Sequence, residues 1–113
     1  MNVIIAGSRT YENYDELLDC IEEANINITK VISGGASGVD RLGERYATEN
    51  NKMLEVYAAD WNKHGKAAGP IRNRQMAAVA DGLIALWDGK SPGTKNMIDE
   101  ANKKNLVVYV RMI

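Results

Sequence analysis

The sequence predicts a Rossmann-like three-layer α/β domain, a five-stranded parallel sheet in the order 3-2-1-4-5 with helices on both faces. Three observations lead there. Short apolar or β-branched runs recur five times, mostly without polar alternation, as strands covered on both faces read. Amphipathic stretches at helical spacing separate them, which gives βαβαβαβαβ, and such crossovers are right-handed in about 98% of cases. The glycine-rich segments follow strands directly, and in a parallel sheet every strand ends on the same edge.

Val3–Ala6 is the first expected strand. Leu17, Leu18, Ile21 and Ala24 then share one helical face, with Asn13 able to cap its start and Glu16 three residues later. Lys30–Ser33 reads as the second strand, and Val39, Leu42, Tyr46 and Ala47 mark the second helix. The third strand, Met53–Tyr57, leads into a connection from Ala58 to Gly69, whose length is more usual for a functional loop than for a joint. Met76, Val79 and Ala80 mark a third helix that Pro70 opens and Gly82 closes. Leu83–Trp87 is the fourth strand. Thr94, Met97, Ile98 and Ala101 form the face of a fourth helix, whose last turn carries Lys103 and Lys104, a favourable charge for a helix C-terminus. Leu106–Val110 completes the sheet.

At 113 residues the chain suits a single domain, 1–113, and 45% hydrophobic with 26% charged residues is an ordinary globular balance. A net charge of −1 supplies no global positive field, so nucleic acid is not the expected partner and anion binding must be local. Cys20 is the only cysteine, which excludes an intramolecular disulfide; its helical setting suggests a half-buried structural thiol. No apolar run approaches the roughly 20 residues of a membrane span. Met1–Gly7 lacks the basic start of a signal peptide, so the expectation is a cytoplasmic protein with no membrane partner. Repeats, low-complexity tracts and linkers are absent.

The loops after strands one, two and four carry the candidate chemistry. Gly7-Ser8-Arg9 follows the first strand, Ser33-Gly34-Gly35-Ala36-Ser37-Gly38-Val39-Asp40 the second, and Trp87-Asp88-Gly89-Lys90-Ser91-Pro92-Gly93-Thr94 the fourth. With the order 3-2-1-4-5 these loops meet where the chain direction reverses, the crevice in which doubly wound sheets take ligands. Gly34, Gly35 and Gly38 let amide groups approach an anion, and the following helix aims its positive end there, so this loop reads as a phosphate cradle. Ser91, Gly93 and Thr94 offer a second helix start with two hydroxyls. The plain alternative is that the glycines serve turns and the hydroxyls cap helices.

Arg9 is the first choice for a direct ligand contact, with a salt bridge as its alternative. Asp40 either accepts from a ribose hydroxyl or complements the helix dipole. From Trp61 to Arg74 no acidic side chain occurs, while Lys63, His64, Lys66, Arg72 and Arg74 do; this is either a solvated basic face or a lid whose arginines grip phosphate. Trp61 is a candidate to stack on a base; Trp87 reads as packing.

Several motifs fail. Gly7-Ser8-Arg9-Thr10-Tyr11-Glu12 is not the dinucleotide fingerprint, and Gly89-Lys90-Ser91 lacks the first glycine of a P-loop because that position is Ile84. One histidine and one cysteine cannot build a His/Cys metal site or a convincing triad, so neither metal nor cofactor is expected.

Taken together, Gly7-Ser8-Arg9, Ser33 to Arg41, Asp60-Trp61 with Gly65 to Asn73, and Trp87 to Thr94 resemble the SLOG superfamily, the Rossmann-like group that includes DprA and the LOG enzymes. They most resemble its small YspA-like branch, related to YpsA. The resemblance implies binding of nucleotides or nucleotide-derived signals, with glycine-rich loops at phosphate and ribose. The implied ligand set is Gly7, Ser8, Arg9, Ser33, Gly34, Gly35, Ala36, Gly38, Asp40, Trp61, Arg72, Asn73, Asp88, Gly89, Ser91, Gly93 and Thr94.

LOG-type phosphoribohydrolases carry Pro-Gly-Gly-x-Gly-Thr-x-x-Glu in the last loop, whereas here the segment is shorter and Met97 stands three residues after Thr94. The leading expectation is therefore a sensor or sequestering module for a phosphorylated nucleotide or nucleotide-derived small molecule, of which an ADP-ribose-like one is an example, with catalysis undecided. The alternatives are a nucleotide hydrolase that uses Asp88, Asp60 or Asp40, and a DprA-like module for single-stranded DNA. Homo-oligomerisation is left open by the sequence.

Overall fold

Strands β1 (Asn2–Gly7), β2 (Lys30–Ser33), β3 (Met53–Val56), β4 (Gly82–Trp87) and β5 (Val107–Met112) pair in parallel in the order β3-β2-β1-β4-β5. The structure is a computed structural model and describes residues 1–113. Register is set by apolar residues in the middle of the sheet: Val3 pairs with Val31 on one side and Gly82 on the other, and Ile5 pairs with Ile84.

Successive strand residues point to opposite faces, and the two cores follow from that alternation. Val3, Ile5, Val31, Ile84 and Leu86 pack beneath α1 (Tyr14–Ala24) and α2 (Val39–Glu49), meeting Leu17, Cys20 and Ala47. Ile4, Ala6, Ile32, Leu83 and Ala85 face the other way. They meet Met76 and Ala77 of α4 (Ala68–Val79) and Met97 and Ala101 of α5 (Pro92–Lys103). Sequence and structure agree on this three-layer plan.

Helix ends follow local chemistry. Asn13 caps α1, its side chain accepting from the Glu16 amide at 3.0 Å. Asn25, Asn51 and Asn105 take left-handed conformations just after α1, α2 and α5, which asparagine tolerates better than most residues. Arg111 on β5 pairs with Glu16, Asp19 and Glu23 of α1 and so ties that helix to an edge strand.

The structure departs from the expectations in five places, three in the backbone and two in burial. The stretch read as a long loop is mostly helical: α3 (Trp61–His64) runs through a 3₁₀ turn, Gly65–Ala67, into α4. That helix starts at Ala68, so Pro70 lies within its first turn instead of opening it. Its missing N–H is harmless there, because first-turn amides have no intrahelical partner. Gly82 does not close α4; it begins β4, paired with Val3 and Val107. The two outer strands are not covered on both faces. Met53, Leu54 and Val56 of β3, and Val107, Val110 and Met112 of β5, are exposed because these edge strands lie beyond β1, β2 and β4, whose side chains form the two buried clusters under the helices.

Cys20 is fully buried, more than the half-buried position expected, and burial pushes its thiol pKa up to about 11. Reactivity requires the thiolate. The native protein should therefore resist a thiol reagent at pH 8 over hours, and the denatured chain should take up one equivalent within minutes; thiol titration with and without guanidinium checks this.

Candidate functional site

Between β1 and β4 the sheet changes winding direction, and the loops that follow β1, β2 and β4 converge over its carboxyl edge. The first loop is held by its backbone. The Ser8 amide donates to the Leu86 carbonyl at 3.2 Å, and the Ser8 carbonyl accepts from Val39 at 3.2 Å. This close passage needs glycines. A β-carbon on Gly7 would lie 2.2 Å from the Leu86 oxygen. Gly38, at φ +72°, would place one 2.2 Å from the Ser8 oxygen. The Ser8 hydroxyl is buried without a hydrogen-bond partner.

In the second loop Ser33 donates to Glu44 at 2.7 Å and accepts from the Gly35 amide at 3.1 Å. Asp40, 6% exposed, turns back and accepts from the Ala36 amide at 3.1 Å. Two of the loop's amides are thus taken by the chain's own side chains, which the sequence reading does not anticipate. Burial pushes the Asp40 carboxyl above its ordinary pKa, while the Ala36 amide and then Arg72 pull it down.

The third loop is organised by Asp88, which accepts from the amides of Lys90 and Ser91, both at 2.8 Å; these bonds hold its carboxyl below the usual range. Trp87 donates its indole N–H to the Ser91 carbonyl at 3.1 Å, so it packs and positions. Ser91 precedes α5 without capping it, which leaves the amides of Gly93 and Thr94 without an acceptor, and the first turn of α5 holds no acid. The Thr94 hydroxyl lies 3.4 Å from that of Ser91.

Helix α4 straps the second and third loops together. Arg72 donates through Nη1 to the Gly34 carbonyl at 2.6 Å and through Nε to Asn73 Oδ1 at 3.0 Å. Asn73, nearly buried, donates to Asn96 Oδ1 at 2.9 Å and to the Gly93 carbonyl at 3.3 Å. A β-carbon on Gly34 would sit 2.7 Å from Arg72 Nη1 and 2.9 Å from Asp40 Oδ2, so guanidinium and carboxylate flank that glycine. Burial lowers the Arg72 pKa, and the Asp40 charge opposes the shift.

The outcome is a divided groove. Gly7, Arg9, Ala36, Asp40 and Arg72 line the switch-point cleft, together with Asn73, Ser91, Gly93 and Thr94. Gly34, Gly35 and Trp61 border an adjoining hollow that Arg9 and Arg72 also line. A third hollow, of about 300 Å³, lies between Trp61, Lys66, Arg72, Pro92 and Asn96, again with Arg9, and has no carboxylate in its wall. That volume is at the lower end of the range for small-molecule sites. Arg9 is exposed, makes no ion pair and faces all three spaces.

Ser8, Ser33, Gly38, Asp88 and Gly89 stand behind these surfaces and shape the loops. Of the basic segment, Lys66 and Arg72 reach the groove, His64 lines a smaller hollow with Asp60, and Lys63 and Arg74 border none of these spaces. Asp60 caps α3, accepting from the Lys63 amide at 3.0 Å. Met97 is buried in the cleft floor. Asn96 was missed by the sequence reading; its signal was its place three residues after Gly93, one helical turn into α5.

A family model described as YAcAr, the YspA, cpYpsA-related SLOG family, matches residues 1–64, which run from β1 through α3. Gene 61 protein of Mycobacterium phage D29 is 35% identical over 116 residues, covering 94% of this chain and 92% of that protein. Among solved structures, DNA processing protein A (DprA) from Streptococcus pneumoniae superposes with a TM-score of 0.75 at 16% identity, over 96% of this chain. The chain spans 49% of that protein, so it corresponds to about half of it, and the likeness is one of fold.

Proposed function

The chain belongs to the YspA, cpYpsA-related SLOG family, and from that membership we propose that its groove binds a phosphorylated nucleotide or nucleotide-derived small molecule as a sensor or sequestering module. One observation carries the reading: Arg9, without a partner of its own, and Arg72 flank the same cleft as the uncapped start of α5. An anion there meets two guanidinium groups, free amides and the positive end of a helix. In a chain of net charge −1 this is a local preference for negative charge. Trp61, 51% exposed beside the same hollows, offers a face for a base.

Isothermal calorimetry against nucleoside mono- and diphosphates, ADP-ribose, its cyclic forms and NAD tests the reading. Binding of at least one phosphorylated member is the expected result, and silence across the panel at high micromolar concentrations would overturn it. Arg9→Ala should weaken that binding by about 10- to 100-fold, the loss of a charge-assisted contact. The melting temperature should stay within about 2 °C, since surface changes of this kind cost little stability.

Two observations favour second readings. Asp40 is the one carboxylate in the cleft wall, so if a bound nucleotide is also hydrolysed, Asp40 is the acid or base; chromatography of the same mixtures for free base or ribose phosphate checks this. The structural likeness to a DNA processing protein, with Trp61, Lys66, Arg9 and Arg72 around one hollow, favours single-stranded DNA. Affinity for an oligonucleotide would then fall steeply with salt.

A further inference from the structure

Asp40 is an odd residue for a loop whose glycines and helix start favour anions. It is buried, it lines the switch-point cleft, and one of its oxygens already holds the Ala36 amide. An asparagine could make the same bond without the cost of burying a carboxylate, so capping the loop does not account for the acid, and Arg72 beside it offsets only part of that cost, since burial still holds the carboxyl above its ordinary pKa. The cleft is also electrically lopsided. At its α5 side stand unused amides and two hydroxyls, with no acid in the first turn. At its α2 side the amides of Gly35 and Ala36 are occupied, and the space is faced by the Asp40 carboxylate with the Arg72 guanidinium beside it. Arg9 borders both sides.

We infer that Asp40 is a specificity-determining residue: it turns the loop after β2 into a subsite for the free hydroxyls of a sugar and directs the phosphate to the start of α5. This rests on the nucleotide reading above and deepens it. A carboxylate accepts from one or both hydroxyls of a vicinal diol and repels a phosphate in their place. The ligand class is thereby narrowed to nucleotides with an unmodified ribose. Those carrying a phosphate on the 2′ or 3′ oxygen are rejected, although the groove as a whole is basic.

The test is calorimetry on the full chain with AMP and ADP-ribose, each against its counterpart phosphorylated on the adenosine ribose: adenosine 2′,5′-bisphosphate, adenosine 3′,5′-bisphosphate and ADP-ribose 2′-phosphate. The extra phosphate should weaken binding by about tenfold or more, and Asp40→Asn should shrink that penalty to about threefold or less. Its melting temperature at pH 7 should be no lower than that of the wild type. Equal wild-type affinity for plain and phosphorylated ribose overturns the inference, as does a penalty that survives in folded Asp40→Asn. A measurement on the wild type alone keeps the question open to refutation if the variant fails to fold: 2′-deoxy- and 3′-deoxy-AMP should each bind about tenfold more weakly than AMP, and undiminished binding of both overturns the inference. Binding with the wrong preference leaves the nucleotide reading standing; no binding by AMP or ADP-ribose removes both.

Discussion

Gly38→Ala is expected to lower the melting temperature by at least about 10 °C. Two costs coincide at that residue. Its φ of +72° is one that L side chains rarely adopt, worth about 1–2 kcal/mol. The added carbon would also meet the Ser8 oxygen at 2.2 Å and the Arg9 oxygen at 2.6 Å, both backbone atoms that cannot swing aside. Relief requires the loop after β1 to retreat from α2, which breaks the bond from Val39 to Ser8. Against a total stability of roughly 5–15 kcal/mol this is a large fraction. Gly93→Ala is the internal control. It has a negative φ and open space around it, so thermal denaturation should show little change or a slight gain, as alanine favours a helix over glycine.

Arg72→Ala should damage stability and binding together, which separates it from Arg9→Ala. Removing the guanidinium leaves the buried Gly34 carbonyl without its 2.6 Å donor, a loss of about 1–3 kcal/mol, or roughly 5–15 °C in melting temperature. If the groove binds a phosphorylated ligand as proposed, its affinity should drop by more than about 100-fold, because a phosphate contact would disappear and the loop beneath it loosen. Arg72→Lys keeps the charge but cannot bond Gly34 and Asn73 at once, and should fall between. Paired calorimetry and melting curves check the ordering; an Arg72→Ala protein as stable as wild type would refute the strapping role.

How much of this was legible in the sequence follows from what each feature depends on. The three central strands were readable because Val3–Ala6, Lys30–Ser33 and Leu83–Trp87 are short apolar runs whose residues alternate between two covered faces. Strand order was taken from the doubly wound pattern that the alternation of strands and helices suits, and the meeting of the glycine-rich loops followed from it. Helix α3 was not, since its four residues give no hydrophobic period; the only local sign was Asp60, three residues before Lys63. Exposure of β3 and β5 was hidden because Met53–Tyr57 and Leu106–Val110 are as apolar as core strands. Within the site, Gly7, Arg9 and Ser91–Thr94 could be placed by loop geometry. The inward turn of Asp40 could not, because it depends on Gly34 lacking a side chain and on Arg72 arriving from a helix far along the chain.

The strap made by Arg72 and Asn73 has one more consequence. With the walls of the groove already bonded to each other, a guest has little left to order on arrival, so association forfeits little conformational entropy. A mould that is set beforehand also barely changes form when filled. If the protein serves as the proposed sensor, whatever reads its occupancy must then touch the rim and the guest it displays, and cannot wait for a distant movement to report it.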